Sequence, residues 1–322
     1  MNEAILPSVK PSAPPPVPGV YADMGELVRL RFKSRGISLL PAQPLNSVLA
    51  GKHASRLRGR GLNFEEIRRY LPGDDVRQMD WKVTARTRTP HIRVYTEERA
   101  REVVLVVDQR LSMFFGSRKN FKSVTAAETA ALSAWRVIAA KDRVSGIVFG
   151  DSDLTVVPSG GSPPQVMRLL SAVVERNRSL GIDRGIVPGP QMLNTALSRA
   201  ERLVAHEALV VLISDGQGSD EETRAILSRI AAHNDVVVAL VHDPLEGELP
   251  TAGNRVFASG GLQLEVDTSD AALRETFRED FQKHLETARR YLLQREVPLL
   301  PVSTASDVAP QIRRLLGTRV RR

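Results

Sequence analysis

Three short runs constrain the fold more than anything else in this chain. Residues 103–107 read VVLVV, residues 208–214 read ALVVLIS and residues 236–241 read VVVALV. A strand with one wet face alternates apolar and polar residues. An unbroken apolar run suits a strand covered on both faces, as in a parallel sheet sandwiched by helices. The text between the runs has helical spacing. Residues 119–140 carry Val124, Ala127, Ala131, Ala134, Trp135 and Ile138 on one face, and residues 164–174 and 192–204 are also helical. Ser219-Asp-Glu-Glu222 reads as a capping box opening a helix through Ile226, Leu227 and Ile230. Leu273, Phe277, Phe281, Leu285, Ala288 and Leu292 mark a long amphipathic helix, and 308–316 a last one. Residues 144–149 and 154–157 form a hairpin around Gly150-Asp151, and 297–302 reads as a further strand. Strands alternating with helices give an α/β fold, a doubly wound and mostly parallel sheet flanked by helices.

In such sheets ligands bind beyond the carboxyl ends of the strands. Two of the runs end on aspartate, Asp108 after VVLVV and Asp215 after VVLIS, and parallel strands bring both to one edge. A buried strand ending on Asp-x-Ser-x-Ser makes the rim of a divalent-metal site, but here Arg110 stands at the first serine position, followed by Ser112. No GxxxxGK[ST] phosphate loop, no GxGxxG after a strand and no GxSxG elbow occurs. With no cysteine, thiol nucleophiles and zinc–thiolate sites are excluded. The six histidines lack metal spacing, and His242 reads as a satisfied histidine. Nothing in the spacing supports a Ser112–His242–Asp215 triad.

The first hundred residues read differently. Residues 1–19 form a Pro-rich tail that lacks the basic start and unbroken apolar stretch of a signal peptide. Residues 24–36 suit a short helix. Residues 51–90 are dense in Gly, Arg and Asp, a loop-rich region with short strands in which Phe64, Tyr70 and Trp81 need burial. No stretch reaches the roughly 18 apolar residues that span a bilayer, so a cytoplasmic protein is expected. The net charge is +8, and residues 56–101 hold 11 arginines and Lys82 against seven acids. Ordinary solvated surface is one reading of that balance. An acidic partner is the other, with nucleic acid disfavoured because no binding motif or aromatic stacking run accompanies the arginines.

Residues 59–99, GRGLNFEEIRRYLPGDDVRQMDWKVTARTRTPHIRVYTEER, resemble the signature of the domain-of-unknown-function fifty-eight family. That pattern is Gly-x-Gly-x-x-Phe, then Arg-x-Tyr-x-x-Gly-Asp-Asp-x-Arg-x-x-Asp-Trp, then Ala-Arg-Thr. It is met by Gly59, Gly61, Phe64, Arg68 or Arg69, Tyr70, Gly73, Asp74, Asp75, Arg77, Asp80, Trp81, Ala85, Arg86 and Thr87. The resemblance implies a von Willebrand factor A-like domain over 101–322 behind a signature region at 20–100. It also implies association with MoxR-type AAA+ ATPases and no established enzymatic activity. Within the signature, Gly73-Asp74-Asp75 forms a turn and Asp80-Trp81 starts a strand-like run. Arg77 and Arg86 are placed to pair with Asp74, Asp75 or Asp80, either to hold a loop-rich segment together or to shape a docking surface.

The same resemblance implies a metal rim of three loops. The first gives Asp108, Arg110 and Ser112. The second puts Gln191 where threonine is usual, with Thr195 one turn on. The third gives Asp215-Gly216. Asp108, Ser112 and Asp215 still offer oxygens to a hard cation, but Arg110 does not. Arg110 is expected to pair with Asp108, Asp215 or both and to supply the charge a metal would have given. A weakened Mg²⁺ site with Arg110 swung outward is the competing expectation. The function expected is a non-enzymatic adaptor or co-chaperone of a MoxR-type ATPase or its client, with Arg110 meeting a partner's carboxylate. A metal-dependent hydrolase using the Asp108/Asp215 edge, and a binder of anionic polymers or membrane surfaces, are the alternatives.

Overall fold

A computed structural model of the chain describes residues 17–34, 37, 61–98, 100–259, 262–293 and 297–316. Most of the Pro-rich tail, Gly59 of the signature and the last basic residues, 317–322, lie outside the described residues. In chain order the elements are α1 (Met24–Lys33), β1 (Gly61–Arg69), α2 (Trp81–Thr87), β2 (His91–Glu98), β3 (Glu102–Asp108), α3 (Lys122–Ala139), β4 (Arg143–Phe149), β5 (Leu154–Gly160) and α4 (Pro163–Ser179). There follow α5 (Met192–Leu203), β6 (Leu209–Ser214), α6 (Glu221–Ala231), β7 (Asp235–His242), α7 (Pro244–Gly247), β8 (Asn254–Ser259), β9 (Leu262–Asp267), α8 (Ala271–Leu293), β10 (Leu299–Ser303) and α9 (Val308–Leu316).

The main sheet has the order β10-β7-β6-β3-β4-β5. Every neighbouring pair is parallel except β4 with β5, the expected hairpin at one edge. The three apolar runs are the three adjacent strands β3, β6 and β7, which is why they had to be apolar on both sides. Alternate residues of β3 point to opposite faces. Val103, Leu105 and Val107 join a core with residues of α3, α4 and α9, and Val104 and Val106 join a second core with residues of α5 and α6. Helix α3 lies close to the sheet because Ala126, Ala127, Ala130, Ala131 and Ala134 have no side chain beyond Cβ to hold it off, and all five are fully buried.

Residues ahead of 101 join this unit. Ala22 and Leu27 are buried in the first core. The Ala22 N–H donates to Asn177 Oδ1 at 2.7 Å, and Trp135 Nε1–H donates to the Leu27 carbonyl at 3.1 Å. The signature region is a separate antiparallel hairpin of β1 and β2, with a 3-10 turn (Val76–Gln78) and α2 packed beside β2.

Three local expectations are corrected. Asp80-Trp81 begins a helix, not a strand: the Asp80 carboxylate accepts the Lys82 and Val83 N–H groups at 3.0 Å and so caps α2. Trp81, in the first turn of that helix, is 69% exposed, because Val83 and Thr84 face inward in its place. Tyr70 is half-buried, and the Phe64 side chain lies outside the described residues. The cap of α6 is Asp220, one residue after Ser219, in a reciprocal box with Thr223. No described helix is long and apolar enough to cross a membrane.

Candidate functional site

The register of the parallel strands builds the site. Val107 of β3 pairs with Ile213 of β6, so Asp108 and Ser214 lie side by side at the carboxyl edge. The Ser214 hydroxyl donates to Asp108 Oδ2 at 2.7 Å, and Asp215 follows immediately. Asp108 has no exposed surface and Arg110 is 2% exposed. The chain turns back after β3, and Arg110 folds over its own strand end. Its backbone N–H donates to Asp108 Oδ1 at 3.0 Å, Nε lies 3.0 and 3.1 Å from the two carboxylate oxygens, and Nη2 donates to Oδ2 at 2.7 Å. The same Nη2 stands 3.7 Å from Asp215 Oδ1, while Nη1 donates to the Pro190 carbonyl at 3.2 Å. The guanidinium also lies over the Phe149 ring, 5.5 Å from its centre.

A second cation completes the arrangement. Lys122, the first residue of α3, is buried and donates to Asp215 Oδ2 at 2.9 Å and to Glu246 of α7, the short helix after β7. A lysine in the first turn of a helix opposes the helix dipole. Its place here is explained by the two carboxylates it joins. Burial alone would depress the Lys122 ammonium, but the charges of Asp215 and Glu246 outweigh it and hold its pKa above the ordinary lysine value. Burial would raise the Asp215 carboxyl, but Lys122, the Gln217 N–H and Arg110 hold it below the usual range. Burial pushes the Asp108 carboxyl upward, with Arg110 pulling against it.

Two further carboxylates, half-buried Asp151 and buried Asp243, tie the loops of this edge together. Asp151, after β4, accepts the Leu111 N–H at 2.7 Å and the Gly189 N–H at 2.9 Å, joining three loops. Gly189 is required by close approach: a Cβ there would lie 1.9 Å from the Asp151 carbonyl oxygen. Asp243, at the end of β7, accepts from the Ser117 N–H and hydroxyl, the Leu245 N–H and the Thr304 hydroxyl.

Of the five residues expected at the rim, Asp108, Arg110 and Asp215 meet in one ionic cluster. Ser112 Oγ is buried and makes no hydrogen bond. Gln191 is exposed, and its carbonyl, not its side chain, is engaged, by Thr195. The second loop reaches Arg110 through the carbonyl of Pro190 instead. Arg110 faces the site but has no free surface, so the expectation that it meets a partner's carboxylate directly is corrected: Asp108 already occupies it. Sequence reasoning missed Lys122, Asp151, Asp243 and Glu246. The signal for Lys122 was its position at a helix start, where lysine is unfavourable.

In the signature region the acids have other partners than expected. Arg68 grips Asp74 through two hydrogen bonds of 2.7 and 2.8 Å, and Arg93 Nε donates to Asp80 at 2.8 Å. Asp75 accepts the backbone N–H of Arg77. Arg77 and Arg86 point outward because β1 and β2, which flank the turn, present nearer arginines. Gly73, at φ 106°, makes the turn that brings Asp74 back to Leu71.

The carboxylates that a divalent cation would use at this edge face internal cations. Such an ion needs several oxygens at about 2.0–2.6 Å, and the oxygens of Asp108 and Asp215 are turned onto a guanidinium and an ammonium. Among the described residues no group of three or more His, Asp or Glu side chains is arranged to hold a metal ion.

Residues 66–287 match the family model described as "Protein of unknown function DUF58". The uncharacterized protein Rv1480 of Mycobacterium tuberculosis is 32% identical over 295 residues, which cover 91% of this chain and 90% of that one. Among solved structures, the conserved hypothetical protein BatB from Bacteroides thetaiotaomicron is 14% identical with a TM-score of 0.38, covering 67% of this chain and 98% of that one. The SpRpn10 VWA domain is 14% identical with a TM-score of 0.31, covering 66% and 93%.

Proposed function

The chain belongs to the DUF58 family, and on that premise we propose that it is a non-enzymatic protein-interaction module, an adaptor or co-chaperone for a MoxR-type AAA+ ATPase or for that ATPase's client. The observation that carries this reading is the closure of the sheet's carboxyl edge by its own cations. Hydrolysis at this edge would need a base, a nucleophile or a metal-bound water open to substrate. The carboxylates that could serve are instead buried and paired, Asp108 with Arg110 and Asp215 with Lys122. What the edge supplies is a fixed shape. The loops after β3, β6 and β7 are pinned by ionic contacts and the loop after β4 by the hydrogen bonds of Asp151, the preorganisation that a binding rim needs. In this reading Arg110 and Lys122 hold the rim without a divalent ion.

Two experiments test it. The chain is co-expressed with the MoxR-type ATPase of its own genome, and the mixture is sized by light scattering while ATP turnover is followed. A co-eluting complex with altered turnover is expected; separate elution with unchanged turnover refutes the partnership. Calorimetric titration of the isolated chain with Mg²⁺ or Mn²⁺ is expected to give no saturable heat. Tight binding to the wild type would overturn the internal-cation reading, and Arg110→Ser serves as the comparison that reopens the seat.

A further inference from the structure

From the outer face of the signature hairpin we infer a docking surface for an acidic, partly apolar protein segment, separate from the carboxyl edge of the main sheet. The inference rests on the interaction-module reading and adds where a partner docks and what chemistry it carries. The hairpin's free edge organises the surface. Met79 forms a strand-like bridge with Ile92, and the Asp80 N–H donates to the His91 carbonyl at 2.8 Å. The 3-10 turn Val76–Gln78 and helix α2 flank that bridge, so both stand on the same edge of β2. The inner side of α2 is anchored, with Thr84 Oγ1 accepting the His91 N–H at 3.0 Å. Its outer side is left to solvent. Trp81 and Ala85 follow one another at helical spacing, with Lys82 and Arg86 alongside and Arg88 at the C-cap, and all five are exposed. Val76 and Arg77 of the adjoining turn are exposed as well.

Charge selects the occupant. Residues 67–93 hold seven arginines and lysines against three aspartates. Asp74 and Asp80 are consumed by Arg68 and Arg93, and Asp75 caps the turn. Arg77, Lys82, Arg86 and Arg88 form no ion pair among the described residues. The turn and α2 with its C-cap thus carry four exposed cations together with an exposed tryptophan and valine. Three of the four are arginine, whose planar fork matches a carboxylate with two parallel hydrogen bonds. Tryptophan and arginine are also the residues on which protein–protein binding energy concentrates. Single-stranded nucleic acid calls for a series of aromatic platforms, and this face offers one. Lying in a membrane surface calls for a long apolar stripe, which the seven residues of α2 do not provide.

The two tryptophans make the test direct, because Trp135 is buried and acrylamide quenching of the full chain reports on Trp81. The probe is a short synthetic peptide of Asp, Glu and Leu at about 0.15 M salt. The peptide is expected to protect Trp81 saturably. By anisotropy of labelled peptide, Trp81→Ala and the double variant Arg77→Glu/Arg86→Glu are expected to weaken it roughly tenfold or more. Absence of saturable protection, or equal affinity in both variants, overturns the assignment. So does stronger protection by phosphatidylserine vesicles or by an oligo-dT strand than by the peptide. An ATPase complex that forms but ignores both variants removes this surface and leaves the interaction module. Peptide binding without any ATPase complex leaves the surface and removes that partner.

Discussion

Replacing Arg110 by methionine isolates what the internal cation contributes. The apolar stem is largely kept and the guanidinium is lost, which leaves Asp108 fully buried with only the residue-110 N–H and the Ser214 hydroxyl as donors. Removing one partner of a buried ion pair costs about 3–5 kcal/mol, because the other charge stays behind uncompensated. The Pro190 carbonyl loses its donor too, for about 1 kcal/mol more if no water replaces it. At about 2–4 °C per kcal/mol for a unit of this size, the ion-pair cost alone predicts a fall in Tm of roughly 6–20 °C. The loss carries a pH signature. A stranded Asp108 has its folded pKa raised above its unfolded one, so the penalty is largest near neutrality and shrinks as falling pH protonates it. Asp108→Asn/Arg110→Met removes both charges and is expected to recover more than half of the loss, a coupling of at least about 2 kcal/mol. Urea unfolding followed by circular dichroism at several pH values measures all of this. If Arg110→Met stays within about 1 kcal/mol of wild type, or if the two substitutions prove additive, the pair does not hold the edge and the reasoning fails.

Lys122→Met leaves Asp215 with the Gln217 N–H and, as its remaining cation, Arg110 at 3.7 Å, and is expected to cost about 2–3 kcal/mol, less than Arg110→Met because Glu246 keeps access to water; a larger cost than for Arg110→Met, in the same unfolding assay, would reverse that ranking. Asp215 and Asp243 both titrate below the ordinary carboxylate value, Asp215 through Lys122 against the effect of burial and Asp243 through the Ser117 and Thr304 hydroxyls against burial. A depressed folded pKa gives stability that is present above the unfolded value of about 3.9 and is lost as pH falls through the folded one, so unfolding is expected only below about pH 4. Asp243→Asn should cost about 2 kcal/mol at neutral pH and flatten that acid limb, seen by circular dichroism on acid titration. Gly189→Ala forces a methyl into the Asp151 carbonyl and is expected to cost about 1–3 kcal/mol, read as a lowered denaturant midpoint; an unchanged midpoint would mean that the loop moves freely.

Much of the fold was written in local patterns. The three apolar runs could be satisfied only by strands covered on both faces, and they became the adjacent β3, β6 and β7. The capping error at α6 was one residue, because Ser219 and Asp220 offer the same chemistry and only backbone geometry separates them. Trp81 was misjudged because hydrophobicity suggests burial, whereas Asp80's capping of α2 turned the ring outward. Asp80 took Arg93 because the bridge of Met79 with Ile92, invisible to spacing along the chain, brought that arginine near, and Asp74 took Arg68 across the turn at Gly73.

By itself the sequence determined the α/β class, the edge on which Asp108 and Asp215 meet and the oddity of Arg110 within it. Those follow from periodicity and strand polarity, which are properties of neighbours along the chain. Only the tertiary structure decided that Arg110 turns inward onto Asp108 and that Lys122, from the next helix, joins Asp215 to Glu246. It also decided that Pro190's carbonyl takes the place expected of Gln191. Ion pairs between residues as far apart as Lys122 and Glu246 depend on distances of a few ångströms set by packing, and no local pattern encodes those distances.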